Sequence, residues 1–255
     1  MAVTLDAVST DMGTNLTNVS ISHTVASDAN FLILYTGGAW TYDDARQETD
    51  PAWNGDTLTE LGKYENPDNS RTDSRIAYLV NPDTGTYNLT VEWDGVVDAE
   101  FILASFKGVN PNDPIGTVST WLAEANGYVN AVCDFGDAAN QYPLAYVCRY
   151  VSAGTYSVGS GETIIGSVYG NGGNYPTCIA VATKDSPTGS DTITFTHSTS
   201  TDRKWIGVGF GLNPKPASGG AIIFTKKMND LWDKWHKKNP WNIKNGIWQK
   251  NPGLI

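Results

Sequence analysis

Long apolar runs are missing from this chain, and so are the residues that most often announce chemistry. No stretch of 18 apolar residues occurs among its 255, which leaves no candidate for a helical membrane span. Met1–Leu5 carries no basic segment followed by an apolar run, so no secretory signal is expected. The three histidines, 23, 197 and 236, are too few and too scattered for a zinc site. Cysteines 133, 148 and 178 match no metal-binding spacing. They lie in apolar, strand-like contexts and read as buried thiols made in a reducing compartment, with a Cys148–Cys178 disulfide as the alternative.

The motifs of common enzymes are absent too: no G-x-S-x-G elbow, Walker loop, G-x-G-x-x-G after a strand, or H-E-x-x-H. His23 and His197 both lie in alternating strands and read as structural. No catalytic residue is assigned, and an enzyme is not expected. Asp43 and Asp44 with Glu48 and Asp50, Asp68 with Asp73, and Asp134 with Asp137 offer oxygens to Ca²⁺ without EF-hand spacing. Solvated acidic loops are the plainer reading, so no cofactor or metal is expected.

What the chain has instead is short β-patterned segments. Tyr87, Leu89, Val91 and Trp93 alternate with Thr86, Asn88, Thr90 and Glu92, the period of a strand with one buried face. Three strands are expected at Arg75–Val80, Gly85–Trp93 and Asp98–Phe106, with turns at Asn81–Gly85 and at Asp94-Gly95. Earlier strands are expected at residues 2–9, 19–25, 30–36 and 58–64, with a polar loop at Thr10–Asn18 and a tight hairpin at Asn54-Gly55. Later ones follow at about 117–122, 130–134, 145–152, 162–168, 177–183, 192–197 and 204–210, each bounded by Gly, Asn, Asp or Pro. So many short strands, each in need of an apolar cover, imply an all-β, jelly-roll-like β-sandwich. Gly207, Gly209 and Gly211 imply close backbone approach at the last of them.

The domain organisation expected is a sandwich over 1–212, a linker over 213–220 (NPKPASGG) and a C-terminal tail over 221–255. The net charge of −10 divides unevenly. Residues 220–255 hold lysines 226, 227, 234, 237, 238, 244 and 250 against Asp230 and Asp233, or +5, which leaves −15 for the rest. An acidic body repels nucleic acid and anionic membrane, whereas a basic tail can dock on an acidic surface. In the tail, Met228, Leu231, Trp232 and Trp235 fall on one face of an expected three-turn helix, ended at Asn239-Pro240. Trp241 and Trp248 follow in a stretch too short for a core of its own. Such apolar surface needs a cover: this body, another copy or a partner. A basic, Trp-rich tail lying on a membrane surface is a further alternative.

Trp40, Tyr42, Trp53, Tyr169 and Tyr175 lie in or near loops. Trp40, Tyr42 and Trp53 are the candidates for stacking on a glycan; the plainer reading is that Trp40 and Trp53 cap the sandwich ends. Sequons at Asn15, Asn18 and Asn88 matter only in a eukaryotic secretory route.

Several blocks resemble a family of β-sandwich proteins common among tailed-phage structural proteins and related environmental sequences. They are Ser20–Val25 with Asn30–Ile33, Trp53–Gly55 with Leu58–Gly62, Tyr78–Thr86, Ser105–Val109 with Pro114–Thr117, and Trp205 with Gly207–Gly211. The likeness covers about residues 2–212 and brings no catalytic residues with it. It implies a non-enzymatic virion accessory protein, a capsid decoration or head fibre, assembled in the host cytoplasm and displayed on the particle. Its partner would be the major capsid protein or another virion protein, with copies forming a homo-oligomer and no direct nucleic-acid contact. The tail lies outside the resemblance. Attachment is assigned to Met228, Leu231, Trp232, Trp235, Trp241 and Trp248, with Lys226, Lys227, Lys234, Lys237 and Lys238 steering. A carbohydrate-binding module is the alternative function.

Overall fold

The computed structural model describes residues 2–40, 50–65, 72–123, 130–137, 140–150, 154–170, 177–185, 190–198, 205–216, 241–244 and 247–250. The chain divides into two units, residues 1–215 and 216–255. All regular structure among the described residues is β, and the strands pair antiparallel throughout.

The longest elements are β1 (Thr4–Val25) and β7 (Gly85–Lys107), which pair along their whole length from Thr4↔Lys107 to Val25↔Gly85. Here the structure corrects two expectations. The loop at 10–18 and the turn at Asp94-Gly95 are both strand. A hairpin at Asp94-Gly95 would pair residues 85–93 with 98–106, but each of those halves pairs with β1 instead. The breaks survive only as register shifts between Gly13 and Leu16 and between Leu16 and Asn18. Extra residues on one strand bend a ribbon without ending it, and beyond this point the ribbon folds back. Val19, Ile21, Leu89 and Val91 of its folded half share one core with Leu32, Leu34, Phe101 and Leu103.

Those last four belong to the central sheet, in which β2 (Ala29–Trp40) lies between β7 and β6 (Thr72–Val80), with β5 (Thr59–Glu65) at the edge. The alternation of β7 sends Phe101 and Leu103 toward the ribbon and Ile102, Ala104 and Phe106 toward the opposite core. β3 (Ala52–Trp53) and β4 (Asp56–Thr57) form the expected hairpin, with Asn54 and Gly55 both at positive φ, 47° and 94°. β3 pairs with β7 at Leu89 and Thr90.

The opposite core is closed by a five-stranded sheet in the order β12 (Glu162–Tyr169), β13 (Thr177–Lys184), β10 (Tyr142–Tyr150), β15 (Trp205–Leu212), β8 (Ser119–Ala123). Tyr146, Cys148, Ile179, Val181, Val208 and Phe210 meet Phe31, Ile33, Tyr35 and Phe106 across it. Its far face carries a third core, covered by β9 (Asn130–Asp137), β14 (Ser190–His197) and β11 (Tyr156–Val158). Burial on both faces explains why β13 and β15 are buried almost without interruption. Gly207 permits the close approach: a Cβ there would lie 2.9 Å from Cys133 Sγ on β9. The architecture is the all-β sandwich expected, with a further cover on each side.

The body extends through Lys215, three residues beyond the expected boundary. The Asn110 amide donates to the Asn213 carbonyl, the Asn213 amide to Pro114 and the Lys215 amide to Gly108. In the C-terminal unit, β16 (Trp241–Lys244) and β17 (Ile247–Lys250) pair as a hairpin with Ile243 opposite Trp248. The expected helix lies outside the described residues.

Candidate functional site

The body has two ends, and connections between strands lie at both. The connections that follow β2, β5, β8, β10, β12 and β14 all start from one of them, where Ala39 pairs with Thr72, Tyr150 with Thr177, and Trp205 with both Arg149 and Ala123. The other end carries the turns at 26–28, 81–84 and 159–161, the segment 108–116 and the exit of the chain. There Asn30 clamps Val109 in both directions, Nδ2 donating to its carbonyl at 2.6 Å and Oδ1 accepting from its amide at 3.1 Å. Gln141 donates to Asn213 Oδ1 at 2.6 Å, and Asn213 Nδ2 to the Asp113 carbonyl at 3.0 Å. The chain thus leaves the body from a pinned end, opposite the six connections.

Buried polar groups gather toward the end where β2 and β10 finish. Glu100, only 2% exposed, accepts from the Thr177 hydroxyl across the two main sheets. Burial pushes its carboxyl well above the usual range and outweighs the hydrogen bonds that favour the anion. Tyr146 donates to the Thr36 carbonyl at 2.8 Å and lies 3.0 Å from Ser74 Oγ. Arg149 is fully buried with its guanidinium 4.7 Å from the Trp205 ring centre, a cation–π contact. His197, the second histidine of the sequence reading, is 1% exposed and packs edge-on against Tyr156 at 4.9 Å. These groups tie strands and sheets to one another.

The three cysteines are thiols, and all are buried. Cys148 faces the core between the main sheets and Cys178 the core on the opposite side, so a bridge between them does not form. Burial lifts Cys133 and Cys148 to about 12 and Cys178 to about 11, which keeps all three as unreactive thiols at neutral pH.

A second polar cluster sits under the folded ribbon. Ser9 Oγ lies 2.9 Å from His23 Nδ1, His23 Nε2 lies 3.1 Å from Ser105 Oγ, and Ser105 donates to Asp6 Oδ2 at 2.9 Å. Asp6 also accepts from the Ala26 amide at 3.0 Å and pairs with Lys107 at 3.3 Å; Lys107 in turn meets Asp28 at 2.7 Å. Asp6 stands at the register shift between Leu5 and Ala7. Burial alone would raise its carboxyl, but Ala26, Ser105 and Lys107 outweigh it and hold the group below its ordinary value. The residues of this cluster span about a hundred positions of sequence, and only His23 stood out on reading.

Of the glycan candidates, Trp53 is corrected by the structure. It is fully buried, donates through Nε1 to the Asp83 carbonyl at 3.1 Å and packs edge-on against Tyr87 and His23, so its ring face is not offered to a sugar. The backbone of Trp40 ends β2 at the end opposite the chain exit, and Tyr42 lies outside the described residues. Tyr169 is half-buried and stacks on Tyr156. Among the tail residues, Trp241 and Trp248 lie on the hairpin, while Lys226, Lys227, Met228, Leu231, Trp232, Lys234, Trp235, Lys237 and Lys238 lie outside the described residues. Asp50, one of the Ca²⁺ candidates, is engaged with Arg75. Among the described residues no group of three or more His, Cys, Asp or Glu is arranged to hold a metal, and no helix is long and apolar enough to cross a membrane.

Comparison with protein-family models, with curated proteins and with solved structures finds no match.

Proposed function

We propose that the chain is a non-enzymatic accessory structural protein of a phage-like virion, of the capsid-decoration or head-fibre kind. Residues 1–215 would be the displayed body and residues 216–255 its attachment. The observation that carries this reading is the pinned exit of the chain, held at one end of the body through Asn30, Gln141 and Asn213. A module that is held by one end and meets its surroundings with the other has this design. The buried polar groups of the body join its layers to one another, which favours scaffold over catalyst.

Attachment falls to the tail for physical reasons. Trp232, Trp235, Trp241 and Trp248 are of the residue type that most often anchors an interface. Lysines 226, 227, 234, 237 and 238 would steer them to an acidic surface on a capsid or other virion protein. A lattice of identical sites raises the effective concentration, so a modest contact per copy suffices. The hairpin also needs a cover, since two isolated strands are marginal in water.

The test is light scattering after size-exclusion chromatography, and co-sedimentation with purified capsids, for the full chain and for residues 1–215. The expected result is a folded truncated body that has lost capsid binding or self-association. A body that unfolds on truncation, or a full chain that binds no particle, overturns the proposal.

A further inference from the structure

We propose that the His23 cluster is an acid-labile latch, which holds the folded half of the ribbon, residues 18–25 with 85–92, on the central sheet at neutral pH and releases it on mild acidification. The inference is independent of the virion reading.

The hydrogen-bond directions follow from chemistry. The ionised Asp6 carboxylate only accepts, so Ser105 donates to it. Ser105 Oγ then receives the Nε2 proton of His23, and the unprotonated Nδ1 receives the hydroxyl proton of Ser9. The relay Ser9 to His23 to Ser105 to Asp6 is therefore complete with a neutral imidazole. It is also the polar tie between the two halves of the ribbon, for His23 belongs to the folded half while Ser9, Ser105 and Asp6 belong to the half in the central sheet.

Protonating His23 makes Nδ1 a donor, so the Ser9 hydroxyl must rotate its own proton away to accept from it, and places a cation where the ring is 2% exposed. The charged groups around it give little in return. Asp6 is already shared between the Ala26 amide and Lys107, Lys107 is balanced by Asp28, and among the described residues the elements above bring Tyr87, its partner across the ribbon, and the Trp53 ring. Burial lowers the imidazole pKa and the Asp6 charge offsets only part of that effect. A group whose pKa is lower in the closed state favours the open state when protonated. Protection is thus complete above the ordinary histidine pKa of about 6.5 and declines as pH falls through the lowered value. Each unit by which the imidazole titrates below ordinary raises the ribbon's opening constant about tenfold.

Hydrogen exchange by mass spectrometry on the full chain, at pH 7 and pH 5 and corrected for intrinsic rates, reads this directly. Peptides over 18–25 and 85–92 are expected to lose protection several-fold at pH 5 while 144–149 and 205–212 keep theirs. His23→Gln, which can bridge the same two hydroxyls without titrating, is expected to abolish the difference. Equal protection at both pH values, or a His23→Gln variant that responds as the parent does, overturns the latch. Should that variant fail to fold, the imidazole titration of the unmodified protein followed by NMR decides. Titration below the ordinary value, in step with the ribbon amides, supports the latch, and titration at or above it overturns the latch.

Discussion

The central sheet wears two covers built on different principles. On one face a five-stranded sheet closes over Phe31, Ile33, Tyr35, Ile102, Ala104 and Phe106 with aliphatic and aromatic groups of its own. On the other, the sheet's own longest ribbon folds back, and its apolar contacts through Val19, Ile21, Leu89 and Trp53 are supplemented by the hydrogen-bonded chain through His23. Toward acid, the apolar cover is indifferent and its buried Glu100, whose carboxyl burial raises, is favoured in the neutral form, whereas a cover partly held by a buried imidazole weakens. One sheet therefore carries an unconditional side and a conditional one, and the two should fail separately.

The sharpest way to separate them is a pair of truncations, one in each core. Phe106→Ala empties a fully buried site between the main sheets and is expected to cost about 3–5 kcal/mol, seen as a lower midpoint of cooperative denaturant unfolding for the whole body. Trp53→Ala removes the largest side chain under the ribbon, together with its bond to the Asp83 carbonyl. About 3 kcal/mol is expected, with exchange protection lost first over 18–25 and 85–92. If Trp53→Ala instead lowers protection evenly across both covers, they are one cooperative unit and the comparison fails.

Ser105→Ala works on the relay alone. It leaves His23 Nε2–H without its acceptor in a buried setting, while Asp6 keeps the Ala26 amide and Lys107. The expected loss is about 1–3 kcal/mol, read by urea titration at neutral pH. A neutral result would mean that the relay is replaceable by packing. Asp6 adds a second acid-sensitive step. Its carboxyl lies below its ordinary value, so its contribution is present above the ordinary carboxylate pKa and is lost as pH falls through the depressed one.

How much of this was legible varied with the range of the interaction. The alternation of Tyr87, Leu89 and Val91 is local, and it correctly gave a strand with one buried face. The Asn54-Gly55 hairpin is local too. Asp94-Gly95 is an equally good turn signal yet lies within a strand, because both flanking halves had a better partner in β1, a choice made 60 to 103 residues away (Val25↔Gly85 to Thr4↔Lys107). The β16–β17 hairpin is not among the expected strands. Trp53 looked like a loop aromatic, but β3 lies against β7 and its ring goes inward. The His23 cluster could not be read at all. Ser105 is 82 positions from His23, and a serine in an apolar strand carries no mark of its partner.

The finest distinction between the covers lies in the turn that ends one of them. Asn54 and Gly55 both take positive φ, the arrangement in which a two-residue hairpin matches the twist of its strands. Asn tolerates this region because its short amide finds a local partner, here Asp83 Oδ2 at 2.7 Å. Asn54→Ala keeps the backbone but loses both the tolerance and the exposed bond, so about 1 kcal/mol is expected. Asn54→Gly, which keeps the tolerance, should cost less. Because β3 is seated on the ribbon half of β7, the loss from Asn54→Ala should show as faster exchange at Leu89 and Thr90 while β10 and β15 are unmoved. Equal slowing or equal loss in both covers would tie the turn to the body as a whole. A change confined to the ribbon would place even this smallest contribution on the conditional side of the sheet.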